Sequence, residues 1–105
     1  MPRKDWQKWL SDSCFVFVER TTCCGKVADF RIVLLVEIAG GLHCATRYDT
    51  AHGYAHRDVL RFDGSVLRKE PMLENDFNLA FDAAYADICS NHERHIAAFL
   101  ATRPE

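Results

Sequence analysis

The hydrophobic residues of this chain change period once, and that change limits the folds open to it. From Cys14 to Lys69, apolar residues fall mostly at alternate positions, the spacing that turns one face of a β-strand to a core. From Asn75 onward, Phe77, Phe81, Ala84, Tyr85, Ile88, His92, Ile96 and Phe99 lie on one helical stripe. A sheet with one apolar face needs a cover, and the stripe supplies it.

The segments follow from turn chemistry. Cys14–Arg20 is rich in β-branched and aromatic residues and predicts a strand, with Thr21–Lys26 as a turn. Val27–Ile38 is the longest strand: Ala28, Phe30, Ile32, Leu34, Val36 and Ile38 alternate on one face. Val33 and Leu35 make the other face apolar too, which marks a central strand. Gly40-Gly41 and Asp63-Gly64 signal hairpins. They bound strands over Leu42–Asp49, with Leu42, Cys44, Thr46 and Tyr48 on one face, and over Tyr54–Phe62. Ser65–Lys69 is a short basic edge strand.

In residues 1–12, Trp6, Trp9 and Leu10 stand at helical spacing behind Asp5, which predicts a short N-terminal helical turn. The expectation is one α+β domain over residues 1–105. An antiparallel meander of about five strands spans 14–70, and a long C-terminal helix, capped by Asn75, spans 75–101 and covers one sheet face. Ser90-Asn91-His92-Glu93 has the form of a capping box and marks a possible break in that helix.

A net charge of −2 excludes a polycation held to nucleic acid by bulk charge. The charge is uneven, however: Leu42–Lys69 has a mild basic excess, whereas Glu70–Glu93 has no Lys or Arg. Apolar runs such as Ile32–Val36 are far too short to span a membrane. The Cys count is odd, at five, and no export signal precedes them, so reduced thiols in a cytoplasmic protein are expected. Cys23-Cys24 with His43 and Cys44 lacks the Cys-x-x-Cys spacing of a zinc site. His92 and His95 lie near the apolar stripe, at the boundary of the core.

The candidate site is Arg47-Tyr48-Asp49-Thr50-Ala51-His52-Gly53-Tyr54-Ala55-His56-Arg57-Asp58. Twelve residues with two each of Arg, Asp, His and Tyr carry far more chemistry than a turn needs. Strand parity groups Arg47 with Asp49 and His56 with Asp58. One register, with Arg47 opposite His56, turns all four to one face. A one-residue slip, with Thr46 opposite His56, separates them, and the hydrophobic pattern mildly favours that slip. Three chemistries fit these residue types. His52 and His56 suit an acid/base pair for phosphodiester cleavage, with Arg47 or Arg57 stabilising phosphate charge. His52 and His56 with Asp49 or Asp58 suit a zinc or manganese site. A purely structural ion-pair network also fits.

The string is similar to a signature of small uncharacterised prokaryotic proteins, Arg-Tyr-Asp-(Asn or Thr)-Ala-His-Gly-x-x-His-x-Asp. More loosely it resembles the toxin component of TumE-type toxin–antitoxin pairs, whose string usually has Asn where this chain has Thr50. The resemblance implies a small bacterial protein acting on RNA and neutralised by an antitoxin protein. The leading expectation is thus a metal-independent, His-dependent ribonuclease without cofactor. His52 and His56 serve as acid and base, Arg47 as phosphate ligand and Asp58 as the group orienting His56. Tyr48, Arg57 and Asp49 contact substrate. The alternative is a non-catalytic module, alone or as a homodimer, that uses the same loop to bind an anion, a partner or a metal.

Overall fold

The structure, a computed structural model, describes residues 2–104. Six strands form one antiparallel sheet in chain order: β1 (Arg3–Trp9), β2 (Cys14–Cys23), β3 (Lys26–Ile38), β4 (Gly41–Asp49), β5 (His56–Leu60) and β6 (Val66–Pro71). One helix, α1 (Phe77–Leu100), then packs across one face, mainly over β3 and β4. The architecture is the expected α+β meander under a C-terminal helix, with one strand more. No helix among the described residues is long and apolar enough to cross a membrane.

The extra strand is β1, where the sequence predicted a helical turn. Its backbone pairs with β2 from Arg3↔Thr21 to Trp9↔Phe15. A spacing of three places Trp6 and Trp9 on opposite faces of a strand, and each face offers an aromatic partner. Trp6 packs toward the helix, 6.1 Å from Phe81 and 6.3 Å from Tyr85, while Trp9 lies 4.7 Å from Phe15 on the other side. Pairing along a whole strand thus outweighs the weak helical spacing.

The core is the helix-facing side of the sheet. Phe30, Ile32, Leu34 and Val36 of β3 are buried, as are Val16 and Val18 of β2. Against them the helix sets Ala80, Phe81, Ala84, Ile88 and Phe99, all buried. Phe77 is half-buried and meets Phe30 edge-on at 6.3 Å. The helix begins one residue later than expected. Asp76 caps it, accepting a hydrogen bond from the backbone N–H of Asn78 at 2.7 Å. Asn78 Oδ1 in turn accepts from the N–H of Val27 at 3.0 Å, which ties the helix start to β3. Inside the helix, Asn91 leaves helical geometry (φ −121°, ψ 19°), at the capping-box sequence.

A bulge in β4 sets the register of the site. Leu34 pairs with Thr46 and Leu35 with Cys44, so Ala45 is an inserted residue with no partner on β3. Leu42 and Cys44 consequently lie on the face away from the helix, whereas Thr46 and Tyr48 lie on the helix face. They do not share one face as simple alternation predicts.

Phe81 touches the rings of Phe30 and Trp6 and carries the Arg20 guanidinium 4.9 Å from its centroid. Phe81→Ala should destabilise the domain by about 3–5 kcal/mol, read as a lower urea midpoint at unchanged slope. An unchanged midpoint would remove the helix from this face.

Candidate functional site

Strands β4 and β5 pair with Arg47↔Asp58, Tyr48↔Arg57 and Asp49↔His56. Arg47 therefore faces Asp58 rather than His56, but parity is kept. Arg47, Asp49, His56 and Asp58 all point to the face that the helix leaves open. The slipped register favoured by hydrophobic pattern is corrected here, because the Ala45 bulge moves Leu42 and Cys44 off the face that Tyr48 occupies. Tyr48 and Arg57 point the other way, toward the helix.

Loop 50–55 closes over the open-face group. Thr50 is buried, and its Oγ1 accepts from the N–H of Phe30 at 3.1 Å, which anchors the loop to β3. Gly53 takes a φ of +83° that a side chain would resist, and its N–H reaches the carbonyl of Thr50 at 3.0 Å. The turn carries the exposed His52 ring to 5.7 Å from the His56 ring, nearly parallel, and the Tyr54 ring to 5.2 Å. Under this cover His56 is 1% exposed.

The open-face group is a compact charge network. Arg47 Nε donates to Asp58 Oδ2 at 2.8 Å. His56 Nε2 stands 3.0 Å from Asp49 Oδ1 and 3.6 Å from Asp58 Oδ1. Lys69, opposite Asp58 on β6, brings Nζ to 3.2 Å from Asp58 Oδ1 and 3.3 Å from His56 Nε2. His56 Nδ1 lies 3.3 Å from the carbonyl of Tyr54. A carbonyl only accepts, so that contact puts a proton on Nδ1. Burial by itself would raise the carboxyl pKa of Asp58, but the hydrogen bonds and charges of Arg47 and Lys69 outweigh it and hold the group below its ordinary value.

The helix face of the same strands carries a second network. Tyr48 Oη donates to Asp87 Oδ2 at 2.7 Å, and Asn91 donates to Asp87 Oδ1 at 2.8 Å. Arg57 Nη1 lies 2.9 Å from His95 Nδ1. Arginine only donates, so Nδ1 accepts and the proton on Nε2 faces Asp87 Oδ2 at 2.8 Å. Arg57 also reaches Glu70 through Nη2 at 3.0 Å. Burial would raise Asp87, but hydrogen bonds from Tyr48 and Asn91 and the His95 ring pull it below the ordinary carboxylate value. Tyr48 is pushed up by burial and by its bond to Asp87.

These positions redistribute the roles expected from sequence. Tyr48 is buried and committed to Asp87, so it has no face free for a stacked base. Arg57 is tied to His95 and Glu70 and does not join Arg47. Asp49 lies nearer to His56 than Asp58 does. His52 is not among the clustered ligand atoms; Asp49, His56 and Asp58 are, with one atom from each within 4.8 Å of the others. Sequence reasoning missed Lys69, although its parity with a basic edge strand was the available signal. It also left His95 and Asp87 unassigned; Asp87 lies one residue outside the apolar stripe. Cys44, beside Arg47, offers no ready thiolate, since burial pushes its thiol up despite the nearby Arg47 and Arg31. All five cysteines are free.

A groove of about 550 Å³ adjoins Asp49 and is lined by Arg3, Arg20 and Arg31 together with Glu19, Asp29 and Ala51. Arg3 and Arg31 both pair with Glu19, so part of its positive charge is compensated.

The chain belongs to a family described as a domain of unknown function (DUF7718), which matches residues 1–105. No curated protein and no solved structure matches it significantly.

Asp58 and Asp87 give the domain a testable acid limb. A carboxyl held low in the folded state contributes stability that is complete above its unfolded pKa, about 3.9 for Asp, and is lost as pH falls through the folded value. Asp58→Asn and Asp87→Asn should each be less stable than wild type near pH 7. Each deficit should shrink steadily below about pH 4, when followed by urea denaturation across the range. A deficit that stays constant with pH would mean that the carboxylate charge is not what these networks use.

Proposed function

We propose that this member of the DUF7718 family is a small RNA-directed protein of the toxin type that cleaves phosphodiester bonds at the open face of its sheet. One observation carries the reading: groups that suit a phosphate ester converge on the face that the helix leaves open. His52, Arg47 and Lys69 reach solvent there, above the buried pair His56 and Asp58. The groove beside Asp49 adds Arg3, Arg20 and Arg31 near this face, with Glu19 and Asp29 offsetting much of their charge. The similarity of residues 47–58 to the toxin string supports the same class and implies an antitoxin partner.

Roles follow from access. His52 is the imidazole free to exchange a proton with a substrate hydroxyl or leaving oxygen. Arg47 and Lys69 place positive charge where a phosphorane would develop its negative charge. His56 holds the floor of the site, with Nδ1 on a backbone carbonyl and Nε2 toward Asp49 and Asp58. It acts on the reaction by positioning the network and by stacking under His52.

His52→Ala should lower the rate of RNA cleavage by roughly 10²–10⁴ with an unchanged melting temperature, because His52 is exposed. The wild-type pH–rate profile should have a limb that disappears in the variant. Induction in bacteria should arrest growth, and the variant should relieve it. A binding module is favoured instead by the depth of His56. It predicts salt-dependent RNA retention without cleavage, and loss of that retention in Arg47→Ala.

A further inference from the structure

The floor of the cluster has the donor set of a metal centre. His56 Nε2 stands 3.0 Å from Asp49 Oδ1 and 3.6 Å from Asp58 Oδ1. Two ligand atoms each about 2.1 Å from one ion, at octahedral or tetrahedral angles, stand about 3.0–3.4 Å apart. Small side-chain adjustments therefore bring the set to coordination distance.

Two further observations point to a cation. Asp58 is 1% exposed, and its buried Oδ1, which faces this cluster, is met by the Lys69 ammonium at 3.2 Å and makes no other side-chain hydrogen bond. Such an atom is costly unless something positive meets it. The Nδ1–H of His56 on the carbonyl of Tyr54 leaves Nε2 unprotonated, beside the two carboxylates and able to accept from the Lys69 ammonium. That is the tautomer of an Nε2-ligating histidine, with its other nitrogen on a backbone carbonyl. Arg47 on Asp58 Oδ2 holds the carboxylate so that Oδ1 stays turned to the cluster.

Lys69 is the protein's own cation at this place, near both Asp58 Oδ1 and His56 Nε2. It arises from the edge strand, and its side chain is 38% exposed. It can leave toward solvent without disturbing the core. We propose that Asp49, His56 and Asp58 form a divalent-cation site in which the metal and the Lys69 ammonium compete for one position. Two carboxylates and one imidazole suit Mn²⁺ or Zn²⁺ better than soft-ligand ions, and the three protein ligands leave positions for water or a phosphate oxygen. The site stands on this geometry and does not require the RNA reading. If both hold, a bound ion sits below His52, where it lowers the pKa of a coordinated water and takes up phosphate charge.

Titration calorimetry with Mn²⁺ tests the site without RNA. The wild-type protein should bind one ion, and Lys69→Met should bind it roughly tenfold or more tightly, because a like charge is removed. Asp49→Asn and Asp58→Asn should each weaken binding by at least about tenfold; the more exposed Asp49 serves if the Asp58 variant fails to fold. Mn²⁺ should broaden the ring proton resonances of His56 and His52 before those of His92. Wild-type protein that takes no ion at millimolar Mn²⁺ overturns the proposal, as does binding only in Lys69→Met. Equal binding in wild type and Asp49→Asn, or broadening that starts at His92, also overturns it. RNA cleavage is assayed separately: Mn²⁺ binding without cleavage removes the ribonuclease reading alone, and EDTA-insensitive cleavage without Mn²⁺ binding removes the cation site alone.

Discussion

One inserted residue, Ala45, decides what stands on each side of this sheet. Before the insertion, β4 turns Cys44 to the open face opposite Leu35; after it, Thr46 and Tyr48 point to the helix opposite Leu34 and Ile32. A bulge reverses parity for all residues beyond it, and so re-aims side chains that regular pleating would send elsewhere. Here it lets a largely apolar strand deliver Tyr48 to the helix and Arg47 and Asp49 to solvent in three consecutive positions. Ala45 is 2% exposed, which leaves little room for a larger residue at this turn of the strand. β5 then pairs Asp58 with Arg47, and β6 pairs Lys69 with Asp58, so both join the face to which the reversal turns Arg47.

The result is two polar networks back to back across one strand pair. On the helix side, Tyr48 and Arg57 are cross-strand neighbours that hold Asp87 and His95. On the open side, the flanking pairs Arg47–Asp58 and Asp49–His56 make the candidate site. The helix-side network fixes how α1 docks, and with it the strand pair that carries the site. Neither network is a strong source of stability. A typical internal hydrogen bond contributes only about 0.5–1.5 kcal/mol net, and burying charges costs several kcal/mol that their pairing only partly offsets. Aliphatic residues at 56 and 58 would suit a core better. That the chain instead buries a His and an Asp beneath an exposed His is the energetic reason to regard the open face as a place of function.

The fold was legible in the sequence wherever one periodicity ran long enough to dominate. The alternation of Phe30, Ile32, Leu34 and Val36 and the stripe through Phe81, Ala84, Ile88 and Phe99 gave the two layers and their mutual faces. The Ser90–Glu93 sequence marked the place where Asn91 leaves helical geometry. β1 was not legible, because Trp6, Trp9 and Leu10 are too few to fix a period and only the free edge of β2 decides between helix and strand. The site was legible in its members but not in its grouping. Parity correctly joined Arg47 to Asp49 and His56 to Asp58, yet a single inserted alanine leaves no mark in hydrophobicity. The pattern therefore favoured the wrong register. Tyr48 and Arg57 were drawn into the site by proximity in sequence, although neighbours in a strand point to opposite faces.

Lys69 shows how a bland reading and a functional one separate. Charged residues on an edge strand discourage pairing with other chains, and Arg68, pointing away and bound to Glu70, needs no further explanation. Lys69 does not fit that pattern. Its ammonium turns inward over a buried carboxylate and an imidazole nitrogen, the two groups that would otherwise leave a concentrated negative potential under the loop. A lysine there neutralises the site at rest while keeping a long, solvent-reachable stem that can swing aside. The depth of Asp58 and His56 holds the potential fixed, and the part-exposed Lys69 side chain is the group that meets it. A phosphate group would draw the lysine outward, a metal ion would displace it, and both events use the same buried pair. The edge position of β6 is what leaves this lysine next to solvent as well as over the buried pair.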